Sequence, residues 1–374
     1  MEVMQSTVVL NSITDAIEDI KKGKIVIVVD DEDRENEGDF ICAAESITPD
    51  TINFMAKFGR GLICTPIEES RAKELDLDMM VRNNTAMHET AFTVSIDLIG
   101  QGCTTGISAF DRATGIKAIT DESTKSMDFA RPGHIFPLVA KKGGVLRRTG
   151  HTEAAIDLAK MAGFYPAGVL VEILNEDGSM ARLPQLLKIA KKHDLKIISI
   201  KDLVAHRMQT ERIVKKELET TIDTQYGKFI VHVYKQLTTG DIHLALTQGD
   251  DFSQNVIPVR VHSNSETGDI LGILFDDYGM KLSKSLEIIS NEGRGILLYM
   301  RHGEKVNSIL HKLRQIDNDK MNDPLPSEEQ RDFGIGAQIL RDLGVKKLKV
   351  ISNTSKKRIG ITGYGLEIVE YIPL

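Results

Sequence analysis

No cysteine occurs after Cys103, and the 374 residues contain no tryptophan. The three cysteines that do occur, Cys42, Cys64 and Cys103, are odd in number and lack CxxC spacing. A disulfide framework is therefore excluded, no thiolate set is available in the later two-thirds of the chain, and reduced thiols in a cytoplasmic protein are expected. Long apolar runs are also missing, since none approaches the roughly 20 residues that span a bilayer. The opening Met1-Glu2-Val3-Met4-Gln5 lacks the basic and apolar regions of a signal peptide. Nor is there an excess of positive charge. The net charge of -7 argues against nucleic acid and anionic membrane as partners. What is present, 41% hydrophobic and 27% charged residues, is the composition of a soluble globular protein. The length exceeds one ordinary core, so two domains are expected.

The most informative stretch is Asp30-Asp31-Glu32-Asp33-Arg34-Glu35-Asn36-Glu37-Gly38-Asp39, seven carboxylates in ten residues. It follows the apolar run Ile25–Val29, which reads as a buried strand. One reading is a solvated acidic loop. The other is a Mg²⁺ site for a phosphorylated substrate: hard oxygen donors sit with an arginine at the end of a buried strand, where open α/β sheets place ligands.

Along the chain, Ser12 to Lys22 reads as a helix with Ile13, Ala16, Ile17 and Ile20 on one face and Gly23 at its stop. Thr48-Pro49 opens a second helix that Gly59 ends. Leu62 to Cys64 reads as a strand, and Ala91 to Leu98 alternates like a half-exposed one. Gln101 to Ser108 is a Gly/Thr-rich turn. Phe129-Ala130-Arg131-Pro132-Gly133-His134 reads as a Pro-Gly turn leading into a short strand. Arg147 to Glu153 combines two arginines, a glycine and a helix start that Thr152 or a neighbour caps, either a phosphate cradle or simply a capped helix. Glu172 interrupts the apolar strand Ala167 to Leu174, where burial of a carboxylate demands a partner. A helix from Pro184 and a strand from Lys196 to Ile200 complete an α/β domain. The charged segment 204–223 is expected to be a helical connector between domains 1–203 and 224–374. Asp317 to Gln330 reads as a polar, mobile loop.

Four motifs in order, Asp33-Arg-Glu-Asn-Glu-Gly-Asp39, Phe129-Ala-Arg-Pro-Gly-His134, Arg148-Thr-Gly-His-Thr152, and Val171-Glu172 followed by Asn175-Glu-Asp-Gly178, closely resemble 3,4-dihydroxy-2-butanone 4-phosphate synthase of riboflavin biosynthesis. From about residue 224 the chain resembles GTP cyclohydrolase II through Val259-Arg-Val-His-Ser263, Thr267-Gly-Asp269, Arg331 to Leu340 and Gly363 to Val369. The resemblance implies α/β and α+β architecture: an α/β lyase domain, then a cyclohydrolase-like α/β domain. It implies that ribulose 5-phosphate is converted to 3,4-dihydroxy-2-butanone 4-phosphate and formate. It further implies that Glu35 and His151 ligate a pair of Mg²⁺ or Mn²⁺ ions, and that His134 and Glu172 are catalytic. Arg34, Glu35, Asp39, Arg148, Thr149, Gly150, His151, Thr152 and Glu172 would contact the substrate, and a homodimer is expected because the family often completes its site across two subunits.

The second domain departs from its family. Ser265, Asp276 and Tyr278 stand at the zinc cysteines, Asn264 at a glutamate, and Gly303-Glu304-Lys305 at a Glu-Gly-Arg. Arg331, Glu329, Ser352 and Lys357 remain at or near family positions. Oxygen donors substitute poorly for zinc thiolates. The expectation is therefore a retained fold without zinc and without GTP cyclohydrolase II activity. The alternatives are a zinc-independent bifunctional enzyme, or a lyase with a nucleotide-sensing or oligomerisation module.

Overall fold

The computed structural model describes residues 10–30, 35–86, 90–253, 255–263, 278–301, 328–352 and 365–374. The chain forms two compact units, Met1–His206 and Arg207–Leu374. Among the described residues, no helix is long and apolar enough to cross a membrane.

The first unit is built on a seven-stranded mixed sheet. Its strands are β1 (Val26–Val29), β2 (Gly38–Ala43), β3 (Cys64–Glu68), β4 (Ile96–Leu98), β5 (Phe129–Ala140), β6 (Gly168–Glu172) and β7 (Ile197–Ser199). They lie in the order β4-β5-β3-β6-β2-β1-β7. Only the β1–β7 and β3–β5 pairs are parallel. Successive residues of a strand face opposite sides, and both sides are covered here. Val26, Val28, Ile41, Ala43, Cys64, Leu138 and Leu170 pack against helices α1 (Ile13–Lys21), α5 (His151–Met161) and α7 (Ile200–Thr210). Ile27, Phe40, Cys42, Val169 and Val171 pack on the other side with α2 (Pro49–Phe54), α4 (Ala109–Thr120) and α6 (Leu183–His193).

The helices start where their capping chemistry allows. Ser12 and Thr48 cap α1 and α2 by accepting amides at 3.1 Å, and Pro49 occupies the first turn of α2. α5 lies close on the sheet because its contact face is small. A Cβ placed on Gly168 would come within 2.7 Å of the Ala155 Cβ.

Several segments differ from the reading of the sequence: β3 starts at Cys64, where the expected strand ended, and β4 covers only Ile96–Leu98 of the expected Ala91–Leu98. Arg131 to His134 lie within the twelve-residue strand β5 rather than in a turn. Asp39 belongs to β2, a strand hidden behind the acidic run. The segment 204–223 is helical only to Thr210, and Val214–Thr224 forms a strand, β8, paired antiparallel with its neighbour. That strand is exposed along nearly its whole length, so it carries no apolar alternation by which to recognise it.

The second unit has its own seven-stranded sheet, with β9 (Gly227–Gln236), β10 (Ile242–Gln248), β11 (Val256–Ser263), β12 (Gly295–Met300), β13 (Lys347–Ile351) and β14 (Glu367–Ile372). The order is β14-β13-β11-β12-β10-β9-β8, parallel from β14 to β12 and antiparallel from β12 to β8. Helices Tyr278–Asn291 and Glu328–Asp342 belong to this unit. Residues 328–330 of the expected loop are therefore helical, and the rest of it lies outside the described residues.

Candidate active site and metal centre

One transverse row of the first sheet positions the polar groups. Val28 on β1 pairs with Asp39 on β2, and Asp39 pairs with Glu172 on β6. Cys64 on β3 pairs with Leu170 on β6 and with Phe136 on β5. Just before β3, Leu62 comes beside Glu172. The Leu62 amide donates to Glu172 Oε2 at 2.9 Å. By strand alternation Asp39 and Glu172 share the face covered by α5, whose first residue is His151.

His151 is buried, with Nε2 3.1 Å from the Val28 carbonyl oxygen. A carbonyl only accepts, so Nε2 carries a proton and donates it. When the ring is neutral, this leaves the Nδ1 lone pair to face the carboxylates, as in a metal-binding imidazole. Nδ1 lies 3.8 Å from Glu35 Oε2 and 3.9 Å from Asp39 Oδ2. One donor atom each from Asp30, Glu35 and His151 fall within 4.8 Å of one another. Asp30 shapes the turn by accepting the Glu37 and Glu35 amides at 2.9 and 3.2 Å. Arg182 holds the same turn from α6 by donating to the Glu35 and Asn36 carbonyls.

So many carboxylates in so dry a place perturb one another. Burial drives the Asp39 carboxyl up to about 7; His151 opposes this, and Glu172, Glu37 and Glu35 add to it. Burial disfavours a charged His151, but Asp39, Glu35 and Asp30 together outweigh burial and raise the imidazole to about 9. Burial and the Glu35 charge also raise Glu37. Asp39 Oδ1 is buried and has no hydrogen-bond partner. Hard oxygen donors, an imidazole fixed in the ligating tautomer and an orphaned carboxylate oxygen fit a hard divalent cation, which would reverse these electrostatic costs.

The other residues singled out from the sequence are placed as follows. Arg148 Nη1 donates to Glu153 Oε2 at 2.8 Å, and Glu153, 1% exposed, also accepts the Lys141 amide at 3.0 Å. Gly150, not Thr152, is the N-cap of α5; Thr152 is buried in the first turn, and Thr149 lies in the loop just before. His134 is clasped by Asp97, whose Oδ2 lies 2.7 Å from Nδ1 while Oδ1 accepts the His134 amide at 2.8 Å. Arg34 lies outside the described residues, as do Asn264, Ser265, Asp276, the 303–305 segment and Lys357. Asp30, Asp97, Glu153, Arg182 and the Leu62 amide escaped sequence reasoning as site residues. Asp97 and the Leu62 amide become visible only through strand pairing, whereas Asp30 stood in the acidic run itself.

The sheet, the helix N-terminus and the carboxylate–imidazole cluster define an α/β enzyme domain suited to hard divalent cations. Residues 14–206 match the family profile of 3,4-dihydroxy-2-butanone 4-phosphate synthase, and residues 215–373 match that of GTP cyclohydrolase II. The chain belongs to the 3,4-dihydroxy-2-butanone 4-phosphate synthase family and carries a GTP cyclohydrolase II-type domain fused behind it. It is 55% identical to riboflavin biosynthesis protein RibBA of Cytophaga hutchinsonii, over 98% of this chain and 92% of that protein. It is 50% identical to RibBA of Bacillus cytotoxicus, over 97% and 93% respectively. A solved two-domain 3,4-dihydroxy-2-butanone 4-phosphate synthase from A. baumannii, RibBX, superposes with a TM-score of 0.78 at 39% identity, covering 97% of this chain and 99% of that one. A 3,4-dihydroxy-2-butanone 4-phosphate synthase in complex with two magnesium ions matches 54% of this chain and 98% of its own, at 40% identity and TM-score 0.52.

These matches correct one expectation. The absence of GTP cyclohydrolase II activity was inferred from the missing cysteines. The second domain nevertheless matches the GTP cyclohydrolase II profile along its length, and close relatives spanning both domains are RibBA proteins. The inference from the cysteines does not stand against them.

Proposed function

We propose that the cross-strand pair Asp39–Glu172, with His151, Glu35 and His134, converts D-ribulose 5-phosphate to 3,4-dihydroxy-2-butanone 4-phosphate and formate. The reaction removes a proton beside the carbonyl, expels water, rearranges the carbon skeleton and releases one carbon. Glu35 and His151 hold Mg²⁺ or Mn²⁺, two ions per site, with Asp30 and Asp39 close by. The ions supply Lewis-acid stabilisation of negative charge developing on substrate oxygens. The remaining work falls to the chain. Glu172, with Oε2 on the Leu62 amide, moves a proton at its other oxygen. Asp97 holds His134 Nδ1, leaving Nε2 as the second proton-handling atom. The loop Arg148-Thr149-Gly150 takes the phosphate at the N-terminus of α5, and Arg34 and Thr152 add substrate contacts. The observation that carries this reading is the approach of Glu35 Oε2 and Asp39 Oδ2 to His151 Nδ1, at 3.8 and 3.9 Å, beside a second Asp39 oxygen that lacks a partner.

Formate release from ribulose 5-phosphate by the full chain tests it. Activity is expected to disappear on chelation and to return with Mg²⁺ or Mn²⁺; full turnover after exhaustive chelation would refute the metal assignment. Exposed Met79, Met80, Phe110 and Met127 support a homodimer, and three free, unpaired cysteines support a cytoplasmic location. In the second domain, Ser265, Asp276 and Tyr278 leave the family's thiolate positions without sulfur, so no zinc is held there on cysteine. Metal analysis of the purified chain checks this: about one equivalent of tightly held zinc would overturn it.

A further inference from the structure

Helix α2 does not end in an ordinary cap. It passes into a π-helical turn, Met55–Gly59, and closes on Arg60 at φ 72°, a left-handed conformation unfavourable for a non-glycine residue. The next two amides both go to one residue: Gly61 donates to the Glu172 carbonyl at 3.2 Å, and Leu62 donates to Glu172 Oε2 at 2.9 Å. Arg60 Nη1 donates to the Leu174 carbonyl at 2.8 Å, and the Leu174 amide donates to the Gly59 carbonyl at 2.8 Å. Glu172 is thus gripped at its backbone and at its carboxylate, and the chain just beyond it is tied back to the same turn. No side chain fits at position 61. A Cβ there would lie 2.5 Å from Glu172 Oε2, 2.7 Å from its carbonyl oxygen and 2.9 Å from its Cβ.

We propose that Arg60 and Gly61 are positioning residues for Glu172, and that the π-turn serves to aim the Leu62 amide at its carboxylate. The proposal rests on the proton-handling role given to Glu172 above. Turn amides are met by backbone carbonyls, side chains or water. This one spends an amide on a carboxylate oxygen of a half-buried side chain in the site row. One oxygen is thereby fixed, and the other is held at a set height above the sheet for the substrate.

The test uses the full-length protein with saturating Mg²⁺ and ribulose 5-phosphate, reading kcat, KM and melting temperature. Arg60→Gly relieves the left-handed strain but deletes the guanidinium bond to Leu174. Its melting temperature is expected to stay within about 2 °C of wild type, because glycine accepts that conformation, while kcat falls about tenfold and KM changes less than about twofold. Gly61→Ala displaces the carboxylate, and kcat is expected to fall about 10²-fold. In a Glu172→Gln background the same alanine should cost less than about threefold, since its effect passes through the group already removed. Wild-type kcat in Arg60→Gly overturns the proposal, as does an equal loss from Gly61→Ala in both backgrounds. If Gly61→Ala does not fold, Arg60→Gly decides alone. Wild-type kcat in Glu172→Gln by itself would instead sink the role given to Glu172, an outcome distinguishable from a failure of the positioning.

Discussion

Asp39→Asn is expected to make the metal-free protein more stable while removing its activity. The side chain is 3% exposed, one of its oxygens lacks a partner, and burial with three neighbouring carboxylates raises its pKa from 3.8 to about 7. At 1.36 kcal/mol per pH unit, that rise disfavours the folded, metal-free state by about 4 kcal/mol once the pH exceeds 7. The folded pKa lies above the unfolded one, so the penalty is absent below about pH 4, grows as pH rises, and is complete above pH 7. The near-isosteric amide removes it. The gain is partly offset because the Asp39 charge also supports protonated His151, whose contribution is present below about pH 6.5 and is lost as pH rises through about 9. A net gain of about 1–2 kcal/mol at pH 8 translates to roughly 3–6 °C for a domain of this size. Calorimetry on chelated protein should show the lyase-domain transition higher in Asp39→Asn than in wild type at pH 8, with the difference shrinking at pH 5. Added Mg²⁺ should then raise the wild-type transition more than the variant's, because only wild type offers the full carboxylate set. Equal or lower stability of the variant at pH 8 would refute the account of Asp39 as a carboxylate held under strain for a cation.

Glu35→Gln and His151→Ala should each abolish formate release and weaken Mg²⁺ binding in calorimetric titration, with the far-UV circular dichroism spectrum unchanged. Arg148→Ala should raise KM more than it lowers kcat. It should also destabilise the domain by about 3 kcal/mol, because Glu153 would be left buried without its cation; an unchanged melting temperature would show that Lys141 and its surroundings suffice. Asp97→Asn should lower kcat about tenfold or more at constant KM, since the amide cannot fix the His134 tautomer as the carboxylate does, and unchanged turnover would remove His134 from proton handling.

Much of the first domain was legible because its strands are buried on both faces and read as apolar runs: Ile25–Val29 and Ala167–Leu174 announced β1 and β6. The strands that hid were those whose sequence serves the site. β2 begins with Gly38-Asp39, where charge masks a strand pattern, and β5 carries Arg131-Pro132-Gly133-His134, which obeys turn statistics and falls where the pairing with β4 shifts register, its Gly133 and His134 amides going to the Ser95 and Asp97 side chains. Functional residues break local rules, and local reading fails there first. For the same reason the motifs identified Glu35, Asp39, His151 and Glu172 individually but gave no hint that Asp39 and Glu172 face each other across a strand pair. Nor did they reveal that His151 is aimed by the Val28 carbonyl. Distances between segments more than a hundred residues apart depend on strand order, and a strand order of β4-β5-β3-β6-β2-β1-β7 is not written in any single stretch.

The second domain shows the opposite error, in which one local absence was given too much weight. Missing cysteines subtract one kind of ligand, a thiolate, from one site. They say nothing about the sheet that carries that site, and the sheet is intact: β11 runs parallel to β12 and β13, and Val259-Arg-Val-His-Ser263 lies along it. Around it several polar groups are matched, although Gln248 Oε1 on β10 is buried without a partner. His243, fully buried, lies 3.2 Å from Gln236 Oε1 through Nε2 and accepts the Arg301 amide at Nδ1, 3.1 Å away. Gln338 joins the helix Glu328–Asp342 to the carbonyls of Met208 and Glu211 at 2.8 and 2.7 Å. Each such group would cost about 1–3 kcal/mol if left unsatisfied, so these pairings hold the sheet whether or not a metal is present. Family membership is carried by that distributed pattern, and chemistry by a few atoms grafted onto it. The cysteines therefore bear on which metal the second domain can bind, and the domain's identity rests on everything else.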